Sequence, residues 1–331
     1  MRRTDAPGEF LEKEHMIYTP AQTLPLQALG FDGQLVSRIA LGCMGLSGTR
    51  NPGTITQDHR SAAIQAFEAA LDSGITFFDH ADIYGGGTSE AVFKDCLAAV
   101  PGSRQRIVIA TKGGIRSGYY DLCPPYIKGC VEQSLARMGI EYIDLYQLHR
   151  PDPLTHPGDT ADVLNDLLRR GLIRSVGVSN YYPEQVRALQ RYLDTPLRSN
   201  QIEISLIRLD PLYEGIDGGD GTLDQCMAMG MTPLAWAPLG GGGMLRGSRR
   251  SRAPAAQERV RAALAEIAPI YGATPAQIAL AWLLAHPAGI LPLVGSTNPG
   301  HIREAAEAAK LTVSREHWYR LWVAARGNPV P

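Results

Sequence analysis

The chain has 331 residues, of which 44% are hydrophobic and 20% charged, a balance that excludes disorder for most of its length and allows a sizeable buried core. A formal net charge of -1 provides no global field to gather nucleic acid or an acidic membrane surface, so neither is expected as a partner. The five cysteines are scattered without a C-x-x-C pair, and no apolar run approaches ~20 residues, which excludes a disulfide framework and a membrane span and favours a reducing cytoplasm.

In chain order, residues 1–20 are polar and aperiodic and read as a flexible tail, while residues 21–331 read as a single folded domain. From Arg38 onward, short β-branched or aliphatic runs alternate with longer amphipathic segments. The candidate strands are RIALGC from Arg38, ITFFD from Ile75, IVIATK from Ile107, YIDLYQLH from Tyr142, IRSVGVSN from Ile173, NQIEIS from Asn200, TPLAWAPL from Thr232 and ILPLVG from Ile290. Between the first two, Ala63, Ile64, Phe67, Ala70 and Leu71 recur at helical spacing and Gly74 follows as a stop. A later helix repeats the pattern with Val260, Ala263, Leu264 and Ile267.

Eight βα repeats fit an open doubly wound sheet or a closed barrel. The open dinucleotide-binding sheet needs G-x-G-x-x-G at its first turn, and LGCMGLSG does not match. The glycine run Gly240–Gly243 instead follows the seventh candidate strand, where a barrel builds its phosphate-binding corner. The predicted fold is an α/β protein, a (β/α)8 TIM barrel.

Barrel enzymes place their chemistry at the C-terminal ends of strands. There the sequence offers Asp79 after the second strand with Tyr84 in the following loop, Lys112 after the third and His149 after the fourth. Each alone has a structural explanation as a cap, an aromatic filler or a solvated charge. An acid, a phenol, an amine and an imidazole at matching points of consecutive units converge on one mouth. Asp144, inside a strand, reads as structural, and His80 and Asp82, flanking Asp79, are not assigned to the site.

The stretch GITFFDHADIYGGGTSE from Gly74 to Glu90 resembles the signature of the aldo-keto reductase family, and TKGG from Thr111, YIDLYQLHRPD from Tyr142, GVSN from Gly177, NQIEIS from Asn200 and GSTN from Gly295 are similar to family blocks in family order. The resemblance spans roughly residues 25–329. It implies an oxidoreductase that reduces an aldehyde or ketone of a small molecule to the alcohol, with Tyr84 as general acid, Lys112 as the cation beside it, Asp79 positioning that cation and His149 orienting the carbonyl. NADPH is the implied cofactor, with NADH admitted as an alternative. Ser179, Asn180 and Gln201 match positions that hold the nicotinamide carboxamide, and Trp236, followed by Ala237, matches the ring-stacking aromatic. Leu239, Gly240 and Gly241 fall to the pyrophosphate, and Gly295, Ser296, Asn298, His301, Arg303 and Glu304 to the adenosine phosphate end. Gly42, Cys43 and Met44 border the same site. His301 stands where the family often carries Arg, and a neutral imidazole grips a phosphate dianion less well than guanidinium.

A second function class, a nicotinamide-binding regulatory subunit with slow or no turnover, shares the cofactor residues and predicts idle chemistry. The basic run from Arg246 through Arg249, Arg250 and Arg252 reads as a solvated loop or a lid. No H-E-x-x-H or comparable spacing occurs, so no metal is expected. Oligomeric state is left open. The insert LYEGIDGGDG from Leu212 and the aromatics Trp318, Tyr319 and Trp322 are expected in the pocket walls.

Overall fold

A computed structural model describes residues 24–30, 33–49, 51–212, 220–246 and 254–329. The expected tail at residues 1–20, Arg249, Arg250, Arg252 and most of the insert after Leu212 lie outside the described residues.

The strands are β1 (Leu26–Ala28), β2 (Leu35–Ser37), β3 (Ala40–Gly42), β4 (Phe77–Asp79), β5 (Val108–Gly113), β6 (Ile115–Arg116), β7 (Tyr119–Tyr120), β8 (Leu145–Leu148), β9 (Val176–Ser179), β10 (Ser199–Glu203), β11 (Thr232–Trp236) and β12 (Leu291–Val294). The helices are α1 (Gln57–Asp72), α2 (Thr88–Ala99), α3 (Pro124–Met138), α4 (Pro157–Arg169), α5 (Pro183–Gln190), α6 (Thr222–Met229), α7 (Gly243–Arg246), α8 (Pro254–Ile267), α9 (Pro275–Leu284), α10 (Pro299–Glu307) and α11 (Arg315–Arg326). Strands β3, β4, β5, β8, β9, β10, β11 and β12 pair in parallel and close into a barrel. The closed (β/α)8 architecture expected from the sequence is therefore present; six barrel strands fall inside their candidate runs, while β5 runs one residue past its run to Gly113 and β10 starts one residue before its run at Ser199.

The antiparallel β1–β2 hairpin packs against the N-terminal ends of the barrel strands. There the Gly30 N–H donates to the Thr232 hydroxyl at 2.8 Å, and Ser37 and Thr76 bond each other.

Alternation along the strands explains where the chemistry sits, because every second side chain of a barrel strand points inward. On four strands the inward pair is an apolar residue followed by a functional one: Phe77 then Asp79, Ala110 then Lys112, Leu145 then Gln147, Leu234 then Trp236. The lower members join Leu29, Val36, Ala40, Val108, Leu291 and Leu293 in one apolar plug, and the upper members form a polar layer above it. Outward residues such as Phe78, Ile109 and Tyr146 pack under the helices.

Asp144 has the structural role expected of it, accepting the Ile109 N–H at 2.9 Å and pairing with Arg104 at 2.9 Å. Trp318 and Trp322 are partly and fully buried, and Trp318 stacks on Trp282 with centroids 5.0 Å apart, so α11 packs on the outer core. Among the described residues no single helix is long and apolar enough to cross a membrane.

Candidate active site

The catalytic candidates meet at the C-terminal end of three neighbouring strands. Lys112, with no exposed surface, places its ammonium 2.8 and 2.7 Å from the two Asp79 oxygens, 2.6 Å from the His80 carbonyl and 3.3 Å from the Tyr84 hydroxyl. Burial pulls the amine down, but the facing Asp79 carboxylate and the Tyr84 oxygen outweigh it, and the lysine is held above its ordinary value. It is therefore a permanent cation at neutral pH.

Tyr84 opens a short 3-10 turn after β4 whose Gly85, at φ 60°, lies against Thr88 where a Cβ would collide. Burial pushes its phenol up and Lys112 opposes the rise; the net shift is upward. The hydroxyl thus stays protonated at neutral pH, and the nearby ammonium lowers the cost of releasing that proton.

His149 follows β8, its N–H bound to the Gly113 carbonyl at 2.9 Å and its ring edge-on to Tyr84 with centroids 6.1 Å apart. Burial, with the Lys112 charge adding to it, pulls the imidazole down to about 2. It is neutral, and Nδ1 has no hydrogen-bond partner among the described residues. A neutral imidazole carries one N–H, and in the tautomer that puts it on Nε2 the ring is a hydrogen-bond donor.

Two neighbours tie the Tyr84 loop down. Glu90, fully buried on α2, accepts from the Thr111 hydroxyl at 2.7 Å and pairs with Arg137 at 3.1 Å, and the same guanidinium reaches the Asp82 carbonyl at 3.3 Å. Burial pushes the Asp82 carboxyl up to about 6. His80 is a packing residue: its ring lies against Phe93 at 4.3 Å, and burial takes it down to about 3.

The expected cofactor residues form a second layer. The Trp236 indole N–H donates to the Asn180 side-chain oxygen at 3.1 Å, the Asn180 amide donates to Ser179 Oγ at 2.6 Å, and Ser179 donates to the Gln201 carbonyl at 3.0 Å. Gln201 Nε2 donates to Asp79 Oδ1 at 2.9 Å, so these contacts link the indole to the Asp79 carboxylate. Asn180 and Ala237 have φ of 59° and 49°, the positive non-glycine values among the described residues. Backbone strain of this kind gathers where side chains are held for a ligand. Gly240, Gly241 and Gly242 follow with φ of 58°, 64° and 80°, and a Cβ on Gly241 or Gly242 would meet open space. Leu239 packs on the outer core, Cys43 is buried beside the barrel mouth, Met44 is exposed next to it, and Gly42 and Gly295 approach each other at the ends of β3 and β12.

At the α10 N-terminus, Asn298 uses its own side-chain oxygen to accept the Gly300 and His301 N–H groups, and Ser296 Oγ lies 3.4 Å from His301 Nδ1. Glu304 faces α9, accepting from the Thr274 hydroxyl at 2.6 Å. Arg303 lines a cleft between α1 and α10 with Glu68 and Asp72. His301 and Ser296 thus stand together, and Glu304 and Arg303 point elsewhere. No group of three or more potential metal ligands occurs among the described residues.

Gln147, absent from the sequence-derived set, also reaches Asp79 Oδ1, at 3.3 Å. The signal was available: counting back by two from His149 puts Gln147 on the inward face next to the site.

A dinucleotide suits this arrangement, since a strained, polar strand-end ledge beside an indole continues into an open glycine turn. An 8-stranded barrel on its own specifies no reaction. Among known proteins, a 6-dehydroglucose reductase of Novosphingobium aromaticivorans is 42% identical over 310 residues, covering 92% of this chain and 96% of the relative. One of the same name from Agrobacterium fabrum is 39% identical over 284 residues, covering 82% of this chain and 91% of the relative. The solved structure of the thermostable aldo-keto reductase Tm1743, crystallised with the inhibitor epalrestat, superposes with a TM-score of 0.77 at 26% identity, covering 91% of this chain and all of that one. With the sequence profile of the Aldo/keto reductase family matching residues 38–323, the chain belongs to that family of nicotinamide-dependent oxidoreductases.

Proposed function

We propose that the protein reduces the aldehyde or ketone of a sugar-like small molecule to the alcohol at the expense of NADPH, with Tyr84 as the proton donor. The observation that carries the reading is the Tyr84 hydroxyl 3.3 Å from a fully buried Lys112 ammonium that Asp79 holds from behind. The cofactor supplies the hydride. Trp236, Ser179, Asn180 and Gln201 would hold its nicotinamide end, the glycine turn from Gly240 its pyrophosphate, and Ser296 with His301 its adenosine phosphate. The substrate carbonyl would accept from the neutral His149 and from Tyr84, whose proton passes to the oxygen as negative charge develops there.

Two observations favour a polyhydroxylated substrate. Both relatives cited above are named for a dehydrogenated glucose. Exposed Tyr119 and Tyr120 on β7 and Tyr182 before α5 stand in segments that follow barrel strands at the catalytic end, and their rings offer faces that stack on sugar C–H surfaces. The intact catalytic set favours turnover over an idle regulatory role.

The test is oxidation of NADPH with a panel of aldehydes and ketones that includes 6-dehydroglucose and simple aromatic aldehydes. Faster turnover of the sugar aldehyde than of the aromatic ones supports the reading. Cofactor binding without turnover on any member would return the regulatory role.

A further inference from the structure

The polar layer of the barrel holds a buried amide that neither the catalytic nor the cofactor set uses. Gln147 lies on β8 at the level of Lys112, its strand-pair partner, and has no exposed surface. Its Nε2 donates to Asp79 Oδ1 at 3.3 Å, and its Oε1 accepts from the Ser199 hydroxyl at 3.3 Å. Ser199 thereby fixes the orientation of the amide, turning its nitrogen toward the carboxylate. Gly177 makes room for both: a Cβ there would stand 3.2 Å from Gln147 Cγ and collide with Ser199 Oγ.

Asp79 Oδ1 therefore accepts from Lys112, Gln147 and Gln201. A carboxylate exposed by only 2% keeps its charge and its place through such donors. Gln201 stands on the ledge proposed for the nicotinamide, where a bound carboxamide competes for its amide. Gln147 sits two residues deeper by strand register, level with Gly177 where Gln201 is level with Ser179, and has no exposed surface.

We infer that Gln147 is a positioning residue for proton transfer: through Asp79 it holds the Lys112 ammonium against Tyr84, and it continues to do so when Gln201 turns toward the cofactor. The inference rests on the reductase reading. The charged or titratable groups facing Gln147 are Asp79 from β4 and Lys112 from β5, with Tyr84 beyond them and the neutral His149 just after its own strand.

Three variants separate this role from simple packing. Gln147→Met keeps the volume and removes the donor; Gln147→Glu places a carboxyl against Asp79; Ser199→Ala removes the orienting hydroxyl and serves if the first two fail to fold. Single-turnover oxidation of bound NADPH by the best aldehyde of the panel is followed across pH, with NADPH affinity measured separately. Gln147→Met should slow the hydride step about tenfold, the size of a lost hydrogen bond to a charged group, while NADPH affinity stays within about twofold. Gln147→Glu should be slower still at alkaline pH and recover as pH falls, because the new carboxyl must take up a proton before it can donate to Asp79. Ser199→Ala should lose about two- to threefold. The substrate-free readout is the infrared carboxylate stretch of Asp79, isolated by subtracting the spectrum of Asp79→Asn, which should move in Gln147→Met. Wild-type rates in Gln147→Met, or the same pH profile in Gln147→Glu as in Gln147→Met, overturn the role. If the wild type oxidises NADPH with no aldehyde, the reductase reading fails, and the infrared band alone decides Gln147: an unmoved band overturns it.

Discussion

A lysine without exposed surface keeps its charge only where a carboxylate faces it, and Lys112 meets both oxygens of Asp79. On the proposed reading that pair makes Tyr84 the acid, and Tyr84→Phe is then expected to lose at least ~10²-fold in turnover while NADPH still quenches tryptophan fluorescence. Loss of binding with no separate loss of turnover would remove the phenol from the chemistry. Asp82 leads to a prediction about stability. Burial pushes its carboxyl up to about 6, so between the ordinary carboxylate range and that value the folded state holds a proton that the unfolded chain has released. Its contribution to stability therefore declines as pH rises through about 6. Asp82→Asn should flatten that part of the curve, measured as melting temperature between acid and neutral pH. These two carboxylates, three residues apart, have opposite tasks, and only their surroundings tell them apart.

At the scale of elements, the barrel works because small residues let strands and turns approach where side chains must converge. Gly177→Ala would drive a Cβ into Ser199 across the β9–β10 pair and is expected to cost about 1–3 kcal/mol, read in chemical denaturation. The entrance to α10 tests cofactor choice. His301 sits beside Ser296 while Arg303 lies in a cleft with Glu68 and Asp72. His301→Arg should therefore tighten NADPH about tenfold and leave NADH nearly unchanged; equal gains for both cofactors would place the adenosine phosphate elsewhere. The strand runs, the first helix and its Gly74 stop were legible because hydrophobic periodicity and glycine placement are local properties. The directions of Glu304 and Arg303 were not, because a helix start carries no information on which neighbour its side chains will meet.

For the molecule as a whole, the ledge at β9, β10 and β11 and the glycine turn would be bridged by one dinucleotide. NADPH at about a hundredfold excess over its Kd should raise unfolding free energy by about 2.7 kcal/mol, visible as a melting shift that exceeds that of NADH. Absence of any shift would count against the cofactor assignment.

What the sequence determined by itself was the class of fold and the family, and it marked Asp79, Tyr84, Lys112 and His149 as the polar residues at consecutive strand ends. Alternation of βα units selects a parallel sheet, and residue type at strand ends marks the mouth whatever the loops do. Only the tertiary structure decided how those side chains are charged and held, because burial and facing groups come from strands far apart in the chain. It is the closure of the barrel that brings Gln147 and Gln201 onto Asp79, leaves His149 neutral, and links the Trp236 indole to the carboxylate behind Lys112.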